Sequence, residues 1–387
     1  MKILFVNNIF PLFAKANSGA SVRSMRLIKA LTQLGHVDVI SFLDDEISNL
    51  NNCDVIFSQY IPKVRRFSSR KEKLNLLLNH SNPYSVFPEN PDKSQVVERY
   101  VATNNYDYIV VRYIDMSCEC GLMKYSERLI IDIDDDPKAA YKMLYGEGRT
   151  LPNKLFMRYY AYMIEKMTQR ISGQVFHTFN SEPTRIYPNC SFLPNISLHS
   201  NALQDVNFST THKNILFIGW MDYLPNKLSL KYFIEKIYPI LLTRQSDINL
   251  HIVGRITDPD LLQLCEVTPN VTVCGFVDDI VAEYQQCRCV VVPLILGTGT
   301  SVKLIEAMTL NRAVVTTSVG KRGLHSVFEA GKDYLLADEA NDFADCVMRL
   351  ISNEEYNNLM AQSARRKIEE YYSEKKFNDI VNSVINK

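Results

Sequence analysis

The 387-residue chain has no surplus of either charge: 43 Lys and Arg stand against 43 Asp and Glu. Gripping nucleic acid through its phosphates requires excess positive charge, so a general nucleic-acid binder is excluded. No apolar run approaches the roughly 18 residues that read as a membrane span. The opening "MKILFVNNIF" lacks the longer apolar core and small-residue cleavage site of a signal peptide. It reads instead as a first buried strand, and the expected location is the cytoplasm. Nine cysteines are present. The close pairs, Cys118 with Cys120 and Cys287 with Cys289, lack the two-residue gap of common zinc sites, and no histidine cluster accompanies them. Reduced, mostly buried thiols are expected. The first strand is not followed by G-x-G-x-x-G, which speaks against a nicotinamide dehydrogenase. Internal repeats and low-complexity segments are also missing.

What is there is a soluble globular composition, 46% hydrophobic and 22% charged, on a chain too long for one ordinary core. Short apolar, β-branched runs alternate with longer helical patterns, the pattern of parallel sheets with crossover helices. The first half offers "KILFVN", "VDVISF", "DVIFS", "YDYIVVR", "RLIIDI" and "QVFHTF". The second offers "NILFIG", "INLHIVG", "VTVCGF", "CVVVPL", "AVVTTS" and "DYLLA". Helices are expected over 20–34, over 226–242 after Pro225, and as an amphipathic pair over 354–386. The polar, aperiodic "SLHSNALQDVNFSTTHKN" separates the halves. The expected architecture is α/β: two Rossmann-like, doubly wound domains facing one another across a cleft. They span 1–200 and 214–370, with a linker at 201–213 and a last helical segment, 371–387, that packs back on the first domain. Ligands of such sheets bind at the carboxyl ends of the strands.

One stretch, "GTGTSVKLIEAM" (297–308), leaves a buried strand through small residues and enters a helix predicted over 302–309. Unpaired N–H groups at a helix start, with no bulky Cβ in the way, bind anions. A tight strand-to-helix turn needs the same residues, so the stretch alone leaves both readings open.

The order "ILFIGWMDYLPNK", "LHIVGR", "VTVCGFVDD" and "GTGTSVKLIEAM" closely resembles the donor-binding domain of retaining glycosyltransferases of group 1, which have the GT-B fold. Part of that family carries the same G-x-M-x-x-x-P-N, V-G-R, G-F-V-D-D and G-x-G-T-x-x-K-x-x-E-A-M elements. The resemblance is specific over 215–324. It is weaker in the first half, where "NSGASVRSMRLIKAL" is similar to the family's small-residue loop and helix, and "LIIDIDDDP" to its acidic strand end. It implies transfer of a sugar from a UDP- or GDP-sugar to an acceptor hydroxyl with retained configuration, in assembly of a surface polysaccharide. The acceptor would be a saccharide or lipid-linked saccharide. Charge left on the diphosphate calls for preorganised donors and a cation. Gly299, Thr300 and Ser301 are expected to supply N–H groups and hydroxyls, and Lys303 and Arg255 the positive charge. The resemblance gives Glu306 the ribose hydroxyls, places the base near Phe276 and Val277, lets the backbone approach the donor at Gly219, and brings Gly19 to the diphosphate from the opposite wall.

Two departures stand out. Thr298 holds the place of a glutamate that contacts the transferred sugar in many members, and Trp220 the place of an arginine. In "DIDDD" the D-x-D of Asp132 and Asp134 suits Mg²⁺ or Mn²⁺. The phosphate cradle lies in the other half, however, so no metal and no cofactor are expected, the nucleotide sugar being substrate. Asp134 falls where many members have an active-site histidine, and it or Asp135 is expected to orient the acceptor. Both could equally be turn or capping residues before Pro137. The segment 62–78, with Lys63, Arg65, Arg66, Arg70, Lys71 and Lys73 against Glu72, reads either as a solvated helix face or as a peripheral contact with anionic lipid. Alternatives on the same fold are a nucleotide-sugar 2-epimerase and a non-catalytic nucleotide-sugar binding protein.

Overall fold

A computed structural model describes residues 1–7, 19–43, 50–62, 74, 78, 87–134, 151–171, 173–178, 189–197 and 213–386. The chain divides into two compact units, Met1–Pro194 with Phe377–Lys387, and Asn195–Lys376. The division falls at Pro194, and most of the expected linker, 201–212, lies outside the described residues.

The N-terminal unit is built on seven parallel strands: β1 (Lys2–Asn7), β2 (His36–Ser41), β3 (Cys53–Ser58), β4 (Tyr108–Arg112), β5 (Leu129–Ile133), β6 (Gln174–His177) and β7 (Cys190–Phe192). Their order is 3-2-1-4-5-6-7. Strands β1, β2 and β5 are buried almost end to end, which is why they read as continuous apolar runs. Helices α1 (Gly19–Thr32), α2 (Pro91–Thr103), α3 (Ile114–Glu119) and α4 (Leu151–Thr168) connect them. Val97, Val101, Met163, Ile164 and Met167 pack with Leu4, Val6, Val111 and Ile131 in the core. Strand β7 was not foreseen. It is a half-buried, three-residue edge strand, "CSF", too short to show alternation.

The C-terminal unit repeats the plan with β8 (Asn214–Ile218), β9 (Asn249–Val253), β10 (Val271–Gly275), β11 (Cys289–Val292), β12 (Val314–Thr316) and β13 (Leu335–Leu336), ordered 10-9-8-11-12-13. All pairings are parallel. The helix expected over 226–242 has three parts: α5 (Leu224–Tyr232), a π-helical turn at Phe233–Ile237, and α6 (Tyr238–Arg244). Pro239 has no N–H to offer, and a widened turn just before it absorbs the break in the ladder. Next come α7 (Pro259–Val267), α8 (Ile280–Gln286), α9 (Val302–Thr309), α10 (Ala340–Ser352) and α11 (Glu354–Tyr371). The last helix, α12 (Glu374–Ile385), buries Phe377, Val381, Val384 and Ile385. Among the described residues no helix is long and apolar enough to cross a membrane.

Candidate functional site

In both sheets the strand order reverses between the first and fourth strands, and doubly wound sheets bind ligands beyond the carboxyl ends there. In the C-terminal unit this point lies between Gly219, just past β8, and the 293–301 segment leading from β11 into α9. Gly219 has φ +155°, and a Cβ on it would lie 2.8 Å from Asn226 Nδ2 and 3.1 Å from Lys303 Nζ. Gly254, past β9, has φ +131°, and a Cβ there would strike the Gly219 carbonyl oxygen at 1.8 Å. The two loops meet backbone to backbone, which only glycine permits.

Asn226, in the first turn of α5, ties the site together. Its Nδ2 donates to the Trp220 carbonyl at 2.9 Å, and its Oδ1 accepts from Lys303 Nζ at 2.5 Å. The ammonium lies 5.6 Å from the centre of the Phe217 ring. Among the described residues no carboxylate comes within ion-pair distance of Lys303, and loss of water pushes its pKa down to about 8. Ser301 stands at the N-cap of α9, yet its side chain makes no capping bond. The Ser301 hydroxyl is buried without a hydrogen-bond partner among the described residues. A helix start with an uncapped first turn, a buried hydroxyl and a lone ammonium makes a site for an anion.

Glu306 lies one turn along α9. Its Oε2 accepts from the Tyr284 hydroxyl at 3.0 Å, and burial pushes its pKa up while that hydrogen bond opposes the shift. Tyr284 is fully buried on α8. Phe276 follows β10 and is 73% exposed, while Val277 beside it is half-buried. Gly299 and Thr300 are half-buried in the turn before α9, and Thr298 is buried. Arg255 follows Gly254 on the exposed surface, and its side chain makes no hydrogen bond among the described residues. The structure thus joins Gly219, Ser301, Lys303 and Glu306 around one helix start and leaves the Arg255 guanidinium outside that network.

The reversal point of the N-terminal unit is filled differently. Asp132 is fully buried, and Arg23 grips it through Nη2 at 2.6 Å and Nε at 2.8 Å. Arg112 adds Nε at 3.0 Å and reaches Asp134 through Nη2 at 2.8 Å. Both Asp132 oxygens thereby accept from guanidinium groups, which leaves the D-x-D unsuited to a divalent ion. Tyr113, directly after β4, has φ +68°, a region costly for any side chain. Its hydroxyl accepts from Arg112 Nη2 at 3.3 Å and lies 3.5 Å from Asp134 Oδ2. Gly19 begins α1. Asp135 and residues 63–73 lie outside the described residues.

Residues 212–353 match the family described as glycosyl transferases group 1. The match falls within the C-terminal unit. Over 97% of both chains, the sequence is 22% identical to an uncharacterized 44.6 kDa protein in the cps region of Klebsiella pneumoniae. The structure superposes on sucrose-phosphate synthase from Thermosynechococcus elongatus with a TM-score of 0.70 at 15% identity, over 100% of this chain and 98% of that one. It superposes on Anabaena HepE in complex with UDP with a TM-score of 0.66 at 14% identity, over the full length of both. WaaG, a glycosyltransferase of lipopolysaccharide biosynthesis, matches at 0.64 and 14%, over 100% of this chain and 99% of that one. The fold is GT-B.

Several residues of the two units escaped the sequence reading. Asn226 had a signal, since it closes the G-x-M-x-x-x-P-N string. Arg112 had a fainter one, a charge ending the buried run "YIVVR". Tyr284 is one position in a short amphipathic helix, and nothing in the sequence marks the backbone of Tyr113.

Proposed function

We propose that the chain transfers a hexosyl group from a UDP- or GDP-sugar to an acceptor hydroxyl, with retention of configuration and without a metal ion. The observation that carries this reading is the cluster of Gly219, Asn226 and Lys303 beside the uncapped start of α9. Breaking the anomeric C–O bond leaves negative charge on the diphosphate. Lys303, held by a neutral amide, keeps its charge for that group, and the first-turn N–H groups and the Ser301 hydroxyl add fixed donors. Gly299 and Thr300 extend the cradle, and Arg255 adds positive charge from the surface. Glu306 takes the ribose hydroxyls, where charge-assisted hydrogen bonds contribute about 1.5–3 kcal/mol each. The base lies against Phe276 and Val277.

On the N-terminal unit, Asp134, held in place by Arg112, or Asp135 is assigned to orient the acceptor, and Gly19 is assigned to the diphosphate. The strained Tyr113 supports a site there, because such backbone persists where function requires it. Known complexes of similar structures support the donor class: HepE holds UDP and UDP-glucose, and TarM holds UDP with a saccharide. The relative in a cps region supports a role in surface polysaccharide assembly on a saccharide or lipid-linked acceptor. Segment 62–78, where Leu74 and Leu78 are exposed, would supply contact with an anionic lipid surface.

The test is a panel of UDP- and GDP-sugars, scored for thermal stabilisation and for turnover in excess EDTA. At 100 times its dissociation constant, the right nucleotide should stabilise its unit by about 2.7 kcal/mol. Turnover should persist in EDTA. Turnover that EDTA abolishes and Mn²⁺ restores would overturn the metal-free assignment.

A further inference from the structure

Trp220 is the chain's only tryptophan, it directly follows Gly219, and it is 62% exposed. Its exposure does not come from a loose side chain. The indole N–H donates to Asp222 Oδ2 at 3.1 Å. Asp222 Oδ1 accepts in turn from the Thr257 backbone N–H at 3.2 Å and from the Thr257 hydroxyl. The polar edge of the indole is thus anchored to the loop past β9, while most of its surface stays open to solvent. The Trp220 carbonyl is the group that holds Asn226, and Asn226 holds Lys303. One amide separates the Trp220 backbone from the ammonium.

A large aromatic kept in water by its own hydrogen bonds is a surface prepared for a ligand with one apolar face. Other exposed apolar side chains follow the strands on the same edge, Phe276 past β10 and Ile295 past β11, at 73% and 45% exposure. Strands β8 and β10 are two ladder spacings apart, roughly 9–10 Å. Phe276 and Trp220 therefore leave the sheet on either side of β9, with the anion site beside Trp220. Trp220 directly follows Gly219, where a Cβ would lie 3.1 Å from Lys303 Nζ, so the residue that carries the indole borders the anion site.

We propose that the Trp220 indole is the platform for the pyranose ring attached to the diphosphate. It packs against the C–H face of the sugar, while the sugar hydroxyls point to water and polar neighbours. Contacts of this kind are individually weak. They count here because Asp222 and Thr257 have already fixed the ring, so little freedom is lost on binding. The proposal rests on the nucleotide-sugar reading and adds to it the surface that recognises the sugar.

A single tryptophan makes its emission specific to this position. On titrating the native chain with UDP, UDP-glucose, UDP-N-acetylglucosamine, GDP and GDP-mannose, the preferred sugar nucleotide should change Trp220 emission more than its parent diphosphate. Calorimetry on the same pairs should show the sugar adding about tenfold to affinity, in the range of a ring stacked on an aromatic. Trp220→Ala should erase that increment and leave affinity for the parent diphosphate within about twofold, because the carbonyl holding Asn226 is kept. Trp220→Phe should retain part of the increment. An increment that survives in Trp220→Ala, an equal loss for sugar nucleotide and parent, or native emission indifferent to the sugar overturns the platform. A native chain that binds none of the nucleotides overturns the donor reading itself, and the platform with it.

Discussion

At the reversal point of the N-terminal sheet, Arg23, Arg112, Asp132 and Asp134 satisfy one another in a buried ion network. At the matching point of the C-terminal sheet there is one ammonium facing an amide, glycine backbone, and a hydroxyl without a partner among the described residues. The strand order is the same, and the electrostatic outcome is opposite. In the first unit, the charges needed to compensate buried groups come from the chain itself. In the second, the described residues leave a charge and a hydroxyl without such compensation. Topology alone therefore makes a place, and the way charge is distributed over it decides whether that place is a strut or a receptor.

The largest expected effect comes from breaking the strut. Asp132→Asn leaves Arg23 and Arg112 buried beside a neutral amide, and loss of one partner in such a network costs about 3–5 kcal/mol. Urea unfolding should show the loss. In contrast, Lys303→Met removes a charge that no carboxylate among the described residues pairs, so stability should hold or rise while nucleotide affinity falls at least about tenfold. Equal destabilisation by both variants would erase the distinction between the two points.

Next in size is Glu306→Ala. Calorimetry with the best nucleotide diphosphate should show a loss of about 1.5–3 kcal/mol, roughly ten- to a hundredfold, with the fold intact. Unchanged affinity would take the ribose role away from Glu306. At Tyr113 the comparison is between two truncations. Tyr113→Gly and Tyr113→Ala both delete the ring, but only glycine accepts φ +68° without strain. Thermal unfolding should therefore find the glycine variant more stable by about 1–2 kcal/mol. Identical stabilities would mean that the backbone relaxes once the ring is gone.

The last contrast is the pH response of Lys303, whose pKa is lowered to about 8 from its ordinary 10.5. Between those values the unfolded chain holds more protons than the folded one, so stability should rise with pH across that window. Nucleotide affinity should move the other way, since an uncharged amine attracts a diphosphate less. Above pH 8, binding should draw a proton onto Lys303, which calorimetry in buffers of different ionisation heat would register. No proton uptake would mean that the diphosphate does not meet this amine.

Much of this arrangement was legible in the sequence because it is local. Every strand foreseen from apolar runs is present, and α9 spans the predicted 302–309, since a buried strand, a glycine turn and an apolar period lie in one continuous stretch. The N-terminal network was hidden because it is not local: Arg23 and Asp132 are 109 positions apart and pair only after the sheet forms. The D-x-D invited a metal reading for the same reason, as the guanidinium groups that occupy Asp132 lie far from it in the chain. The π-turn at Phe233–Ile237 left only Pro239 as a trace, and a proline inside a helical pattern does not say how the break will be absorbed.

Beyond strands β8, β9 and β10, the loops are stitched in series. Gly219 N–H donates to the Val253 carbonyl at 3.0 Å, Met221 N–H to Arg255 at 3.2 Å, and Gly254 N–H to Gly275 at 2.7 Å. With Gly254 seated directly on Gly219, the three loop starts form one stiff bar. Trp220 and Phe276 are fixed to it like the jaws of a caliper whose opening has been locked. A bar of that kind fixes the spacing of the loop starts, so a shift in one is passed on to the others.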